Sequence, residues 1–420
     1  MIQPFNRNMI IRNAAQVVRC SANAAKCGVD MSELHIEENA NIVITGGIIT
    51  YVGSELEFPS FANLSAYNTV DATGKAILPG FVDSHTHLVF GGYREDEFAW
   101  RMRGDSYMSI MERGGGIHST MMATRNASFE ELYTAAKKRL ENMLRLGITT
   151  VEAKSGYGMN RETELKQLAV IKELNRTQPI TVVPTFMGAH ATPPEYKNRE
   201  DDFINYLTSK IMPEIREKNL AVFCDIFCEK NVFSLEQSRR YLQKAKELGF
   251  LLKIHADEIV QFGGAELAAE MRCTSADHLL QASDAGIHQM AENHVVATLL
   301  PCTAFSLKER FADARKMIDA GCAVALATDL NPGSSFTSSV PLTFALACIY
   351  MRMSAEEAVN ALTINGAAAI ARAETIGSID PGKRADLLML DYPSYKFLPY
   401  HIGMNIVKMV IKNGEIVVNN

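Results

Sequence analysis

ILPGFVDSHTH, residues 77–87, joins a short apolar run to two histidines that are separated by a single residue. Alternate side chains of a β-strand share a face, so His85 and His87 are expected to point the same way. Two imidazoles placed side by side can bind one divalent metal ion. An HxH pair alone is weak evidence for a metal. Its position at the end of an apolar strand that opens with Pro79-Gly80 strengthens the hypothesis.

Downstream of this stretch, strand-like and helix-like segments alternate. The helix pattern is clearest over 129–145, where apolar residues recur every three or four positions between a Ser128/Glu131 capping box and Gly147. The predicted strands are 77–85, 148–153, 181–188, 221–228, 251–255, 273–278, 294–299 and 323–328. Eight β/α units predict an α/β fold, a closed (β/α)₈ TIM barrel that leaves no sheet edge exposed. Such a barrel carries its functional groups at the C-terminal ends of its strands.

The two ends of the chain predict a second, smaller unit. Residues 41–53 predict two short strands around Gly46-Gly47, and 385–391 and 407–418 predict more strands, with a hairpin turn at Asn413-Gly414. We therefore expect one β-sandwich built from 1–78 and 375–420, beside a barrel that spans 79–374.

Composition excludes several classes of function. The 420 residues carry 42 basic and 48 acidic side chains, a net charge of −6, which leaves no general positive field for nucleic acid. No apolar run reaches the roughly 18 residues that a membrane span needs, and the first residues lack a secretion-signal layout. The eight cysteines form no CxxC pair, so we expect reduced thiols and a cytoplasmic protein.

Polar residues follow the predicted strands at the end where a barrel places its site. His255 ends the fifth strand and Asp329 ends the eighth, so both are expected to meet His85 and His87 at one rim. Three imidazoles and one carboxylate suit zinc or iron, and a bound metal lowers the pKa of its water to about 7. The alternative for Asp329 is a helix N-cap or a turn, which the three rim histidines make less favoured.

Further candidates lie close by. His278 ends the sixth strand and can be a fifth ligand or a proton shuttle, whereas His190 can donate to a developing oxyanion; a hydrogen-bonded core histidine is the alternative for both. Glu258 can hold a ring nitrogen or pass a proton. Arg94 suits a substrate carboxylate, although its spacing does not separate it from three nearby competitors, Arg101, Arg103 and Arg113.

At this point several motifs resemble a known family. LPGFVDSHTHLVFGG (78–92) resembles the opening of the amidohydrolase superfamily, and GSIDPGKRADLLMLD (377–391) resembles its closing. The finer pattern is similar to the imidazolonepropionases of histidine degradation. The stretches that carry this resemblance are HTHLVFGGYREDEF (85–98), RGGGIHSTMMATR (113–125), EAKSGYGM (152–159), TFMGAHATPPEY (185–196), KIHADE (253–258), SADHL (275–279) and ATDLNPGSS (327–335). Against that family, 22–38 looks like a longer insertion than expected.

The resemblance implies a reaction, a cofactor and a set of residues. Water would open the cyclic amide C–N bond of 4-imidazolone-5-propanoate to give N-formimidoyl-L-glutamate, with one Zn²⁺ or Fe³⁺ ion per subunit. The implied metal ligands are His85, His87, His255 and Asp329. The implied substrate contacts are Arg94, Tyr157, His190, Glu258, Asn331, Gly333 and Ser334. A homodimer is common among similar proteins.

The catalytic roles follow from the chemistry of a lactam, whose carbonyl resists water. His190 would steady the oxyanion. Asp329 would accept the proton of the attacking hydroxide, and either Glu258 or His278 would return a proton to the leaving nitrogen.

Three alternatives stay open at this stage. In some amidohydrolases a carbamylated lysine on the fourth strand bridges two metals, but Lys154 lies on the second predicted strand, which favours a single metal. A deaminase acting on cytosine- or guanine-like rings would need a nearly identical ligand set and would release ammonia. A non-enzymatic scaffold would lack metal ligands, whereas all four are present here.

Overall fold

The computed structural model describes residues 7–54, 66–105, 113 and 115–420, and within them two eight-stranded sheets organise the chain. The first sheet is built from both ends of the chain and is mainly antiparallel. Its strands are β1 (Met9–Val18), β2 (Ile36–Thr45), β3 (Ile48–Gly53), β4 (Asn68–Asp71), β5 (Ala76–Pro79), β14 (Leu387–Leu390), β15 (Val407–Lys412) and β16 (Glu415–Asn419).

This sheet folds over a core of its own. Buried side chains from β1, β2, β5, β14 and β15 form one apolar cluster that is separate from the main core. The predicted hairpin turn at Asn413-Gly414 joins β15 to β16, and both of its residues have positive φ. The prediction of a small β-sandwich built from both termini is thus confirmed. The exact domain limits stay a prediction, and 1–6 and 55–65 of the expected range 1–78 lie outside the described residues.

The second sheet is the predicted parallel barrel. Its strands pair in chain order, β6 (Phe81–Asp83), β7 (Ile148–Lys154), β8 (Thr181–Ala189), β9 (Phe223–Cys228), β10 (Leu251–Ala256), β11 (Ser275–His278), β12 (Val296–Leu299) and β13 (Val324–Leu326). The last strand closes on the first just beyond their ends. There the N–H of His87 donates to the carbonyl of Leu330 at 2.9 Å. The N–H of Asp329 donates to the carbonyl of His85 at 3.1 Å.

One strand prediction was wrong. The stretch 77–85 is not a single barrel strand, because it divides at Gly80 into β5 of the terminal sheet and β6 of the barrel. A Cβ at Gly80 would lie 2.2 Å from Oγ1 of Thr149, and the Gly80 N–H donates to the carbonyl of Asp386 at 2.8 Å. The chain therefore crosses between the two sheets at a point where only glycine fits.

Most of the helices lie between consecutive barrel strands along the chain. The helices are α1 (Glu95–Arg103), α2 (Ile117–Asn126), α3 (Phe129–Arg145), α4 (Arg161–Thr177), α5 (Glu200–Tyr206), α6 (Met212–Glu217), α7 (Leu235–Glu247), α8 (Gly264–Met271), α9 (Asp284–Glu292), α10 (Pro301–Leu307), α11 (Ala314–Asp319), α12 (Val340–Tyr350), α13 (Ala355–Leu362), α14 (Ile364–Ala369) and α15 (Phe397–Tyr400). The predicted helix over 129–145 is α3, and its capping box is formed. No helix within the described ranges is both long enough and apolar enough to cross a bilayer.

The segment 22–38 contacts β13 at the end opposite the predicted site. Met31 is fully buried, and its sulfur accepts a hydrogen bond from the N–H of Val324, where β13 begins. The amide of Asn365 bonds both the N–H and the carbonyl of Lys26. The amide of Asn360 donates to the carbonyl of Met31 at 2.8 Å. This segment therefore packs against the N-terminal end of β13 and the helices α13 and α14 beside it.

Candidate active site

The predicted ligands meet at the C-terminal rim of the barrel. His85 and His87 follow β6, His255 lies near the end of β10, and Asp329 lies three residues past β13 instead of ending it. All four side chains are almost fully buried. Nε2 of His85 lies 3.4 Å from Oδ1 of Asp329, and Nε2 of His87 lies 3.6 Å from the same oxygen. Nε2 of His255 lies 3.4 Å from Nε2 of His87.

These spacings suit one cation between His85, His87 and Asp329, with His255 beside His87. Ligand atoms that are ~2.1 Å from a tetrahedral ion lie ~3.4 Å from one another. Among the described residues, Nε2 of His85 and Oδ1 of Asp329 are buried yet have no hydrogen-bond partner. Buried polar atoms are rarely left without a partner. The pKa of each of the three imidazoles is held well below its ordinary value, chiefly by burial, so the rings are neutral and present lone pairs.

Carboxylates behind the histidines set which ring nitrogen faces the centre. Nδ1–H of His85 donates to Oδ2 of Asp277 at 2.6 Å, and Nδ1–H of His255 donates to Oδ1 of Asp225 at 3.0 Å. A carboxylate accepts the Nδ1 proton, which leaves Nε2 free as a ligand. Sequence reasoning missed both aspartates. The only available signal was a single acidic residue within each predicted strand, AVFCDIFC and CTSADH.

Lys154 lies beneath these aspartates and is fully buried. Its Nζ lies 2.7 Å from Oδ2 of Asp225, 2.9 Å from Oε1 of Glu152 and 3.7 Å from Oδ2 of Asp277. Although burial opposes it, the charges of Asp225 and Glu152 hold the pKa of Lys154 above its ordinary value. The side chain is therefore an ammonium that compensates buried carboxylates. This environment supports the single-metal hypothesis over a bridging carbamate.

Asp329 combines a free oxygen with a fixed one. Oγ1 of Thr303 donates to Oδ2 at 2.6 Å, which leaves Oδ1 directed toward the imidazoles. Burial raises the pKa of Asp329 to about 7, against the opposing effect of that hydrogen bond. A cation bound beside it would lower this pKa again, because opposite charge favours the ionised form.

His190 lies one residue past β8 and borders the ligand cluster. Its ring stacks on His87, with centroids 4.8 Å apart and planes inclined by 18°, and the buried ring of Tyr157 lies 5.2 Å away. Burial lowers the pKa of His190 to about 4. Nδ1 lies 3.2 Å from the carbonyl oxygen of Gly156, which can only accept. In the neutral ring the proton is therefore on Nδ1, and Nε2 is an acceptor.

This assignment constrains the predicted oxyanion role of His190. Nε2 donates only from a ring that carries both protons or from the other tautomer.

Glu258 and His278 lie together on the same side of the cluster. Oε1 of Glu258 is 3.5 Å from Nδ1 of His278, and the rings of His278 and His255 have centroids 5.1 Å apart. Burial, together with the negative charges of Asp329 and Glu229, raises the pKa of Glu258 to about 8. Burial lowers the pKa of His278 to about 4. Glu258 is thus the protonated member of the pair at neutral pH. One ligand atom each from His85, His255 and His278 lies within 4.8 Å of the others, so a fifth-ligand role for His278 stays open.

The turn after Asp329 is shaped by Asn331. Its Oδ1 accepts from the N–H groups of Gly333 and Ser334, both at 2.8 Å. Its Nδ2 donates to the carbonyl of Asp329 at 2.8 Å and to Oγ of Ser334 at 2.9 Å. These four bonds use the full hydrogen-bonding capacity of a primary amide. A substrate contact at Asn331 would have to replace one of them. Arg94 lies against Gly333, within this same turn.

Comparison with known proteins identifies the family of this chain. A sequence model of the amidohydrolase family matches residues 76–417. The imidazolonepropionase of Porphyromonas gingivalis (strain ATCC BAA-308 / W83) is 61% identical over 420 residues, covering 99% of each chain. That of Clostridium tetani (strain Massachusetts / E88) is 60% identical over 410 residues, covering 98% of each.

A solved structure shows the same fold at low identity. Atrazine chlorohydrolase from Arthrobacter aurescens TC1, crystallised with zinc, aligns with a TM-score of 0.74 and 17% identity, covering 98% of this chain and 95% of its own. At 17% identity the similarity shows only that the fold is shared. With a family model matched over most of its length and full-length relatives at about 60% identity, this chain belongs to the imidazolonepropionases of the amidohydrolase family.

Proposed function

We propose that this protein hydrolyses the cyclic amide C–N bond of 4-imidazolone-5-propanoate to give N-formimidoyl-L-glutamate, a step in histidine degradation. Full-length identity to named imidazolonepropionases supports the substrate. The observation that carries the chemistry is a pair of buried atoms without hydrogen-bond partners among the described residues, Nε2 of His85 and Oδ1 of Asp329, which lie beside the imidazoles of His87 and His255.

The proposed cofactor is one metal ion, Zn²⁺ or Fe³⁺, held by those four residues. Imidazole and carboxylate ligands accept either ion. When bound, the ion supplies a water of lowered pKa and polarises the substrate carbonyl. Side chains of the protein are proposed to carry out the proton transfers and to contact the carbonyl oxygen.

Asp329 is the proposed acceptor of the proton that the attacking water loses. Its Oδ1 faces the imidazoles and its Oδ2 is fixed by Thr303, so the carboxylate is already positioned at the site. A positioned carboxylate that transfers a proton typically contributes about 10²- to 10⁴-fold to rate.

Glu258 is the proposed donor to the leaving ring nitrogen. Its raised pKa keeps a proton on the carboxyl group at neutral pH. His278 beside it is neutral under the same conditions and can accept or relay that proton. His190 and Tyr157 form the wall over His87, and His190 is the proposed contact to the carbonyl oxygen.

A cytoplasmic location and a homodimer are part of the same proposal. Light scattering on purified protein tests the homodimer.

The direct test is an assay with freshly prepared imidazolonepropionate. We expect its ultraviolet absorbance to fall in the presence of the protein, with formation of N-formimidoylglutamate and no ammonia. A chelator in excess should abolish the reaction, and added zinc or iron should restore it. Ammonia release from a cytosine- or guanine-like ring, without turnover of imidazolonepropionate, would support the deaminase alternative instead.

A further inference from the structure

One face of α1 borders the turn that follows Asp329, and Arg101 contacts that turn directly. Glu97 and Arg101 are four residues apart, so they lie on one face of the helix. Glu97 is 7% exposed, whereas Glu95 on the same turn of the helix is exposed. A buried carboxylate needs compensating partners. The partners of Glu97 indicate the role of this face of α1.

Both oxygens of Glu97 are engaged. Oε2 accepts from Nε of Arg94 at 2.9 Å and from Nη2 of Arg94 at 2.7 Å. Oε1 accepts from the N–H of Gly116, at the start of α2, at 3.0 Å. The carboxylate is thus anchored on one side by backbone, and on the other it fixes two of the three nitrogens of the guanidinium.

The third nitrogen of Arg94 lies against Gly333. A Cβ added at Gly333 would lie 2.2 Å from Nη1 of Arg94, so the guanidinium occupies the space that a side chain would need. The carbonyl of the same glycine accepts from Nη2 of Arg101 at 2.7 Å. Two guanidinium groups therefore converge on one residue of a turn whose Asn331 is bonded to Asp329, one of the proposed ligands.

Positive charge exceeds negative charge among the described residues around Gly333. Within the described part of the chain, Arg94 is paired with one carboxylate, Glu97, and Arg101 forms no ion pair. Nε of Arg101 is buried without a partner there, and Nη1 of Arg94 makes no hydrogen bond to a described residue. An anion would complete the cluster, and a carboxylate matches the donors of a guanidinium.

We propose that Glu97 is a positioning residue for recognition of the substrate's propionate: it holds the guanidinium of Arg94 against Gly333, so that Nη1 is presented to the tail. The inference rests on the proposed function. A positioning role and a simple charge role predict opposite changes in binding of the tail when Glu97 is removed. If Glu97 only neutralised charge, its removal would leave more positive charge and tighten binding of the tail. If it positions Arg94, its removal frees a long side chain beside another cation and weakens binding.

The test measures the kcat and KM of metal-loaded Glu97→Gln, which keeps the size of the side chain and removes its charge. We expect KM to rise about 10- to 100-fold, the size of one lost charge-assisted contact, with kcat changed less than about threefold and metal content unchanged. Glu95→Gln is the matched control, and its KM should stay within about twofold of the parent. An unchanged or lowered KM in Glu97→Gln overturns the proposal.

A pair of inhibitors separates positioning from general damage. 3-(Imidazol-4-yl)propanoate carries the tail carboxylate, and the corresponding propanamide carries a neutral tail. In Glu97→Gln the inhibition constant of the propanoate should rise about 10- to 100-fold while that of the propanamide stays within about threefold. Gly333→Ala, which displaces Nη1 of Arg94, should reproduce this split. Equal weakening of both inhibitors contradicts the inference. Failure of the unmodified protein to hydrolyse imidazolonepropionate contradicts the proposed function instead.

Discussion

Asp329→Asn is expected to lower kcat by about 10²- to 10⁴-fold, the range for loss of a positioned proton acceptor. The substitution keeps the size of the side chain, and its amide can still meet Oγ1 of Thr303, which now bonds Oδ2 at 2.6 Å. An amide, however, cannot take up the proton that the attacking water must lose. Steady-state kinetics at saturating imidazolonepropionate measure the effect, and elemental analysis of the same sample measures the metal.

The metal content tells two roles of Asp329 apart. A variant that keeps its metal and loses turnover shows the proton-acceptor role, whereas joint loss of both shows that the carboxylate is needed as a ligand. Asp319→Asn, at an exposed aspartate on α11, is the matched control and should retain kcat within about twofold. An Asp329→Asn variant that keeps its metal and kcat within about tenfold of the parent would refute the role.

His190→Ala is expected to lower kcat by about 10²- to 10³-fold, the usual effect of removing one contact to a developing oxyanion. Metal content should not change, because His190 stacks on His87 without being one of the four proposed ligands. The exposed His288 on α9 gives the matched control, His288→Ala, which should leave kcat unaltered.

The tautomer of His190 makes this result informative. Because Gly156 accepts from Nδ1, the neutral ring has a bare Nε2, and only a second proton or the other tautomer makes it a donor. Full turnover in His190→Ala would show that the side chain takes no part in the reaction. A loss of turnover together with a loss of metal would place it among the ligands instead.

The barrel could be predicted because strands covered on both faces are nearly continuous apolar runs. Even so, the apolar run over 77–85 predicts one strand where the structure has two. The crossing at Gly80 depends on Thr149, a residue of β7 that periodicity along 77–85 does not reveal. The ligands could be located because the C-terminal ends of parallel strands converge at one rim.

What lies behind the ligands could not be predicted in the same way. Asp225 and Asp277 are single acidic residues within strands, and no spacing rule connects them with His255 and His85. Their pairing follows from which strands are neighbours in the closed barrel and from the buried ammonium of Lys154 between them. Likewise, the saturated amide of Asn331 becomes visible only once the turn that it closes is seen.

The most direct test of a single metal at this rim is a crystal structure of the purified protein, with anomalous diffraction collected at the zinc and iron absorption edges. We expect one anomalous peak about 2.0–2.2 Å from the Nε2 atoms of His85, His87 and His255 and from Oδ1 of Asp329. Metal-replete crystals with no peak among these four atoms, or with two peaks bridged by Lys154, would contradict the account.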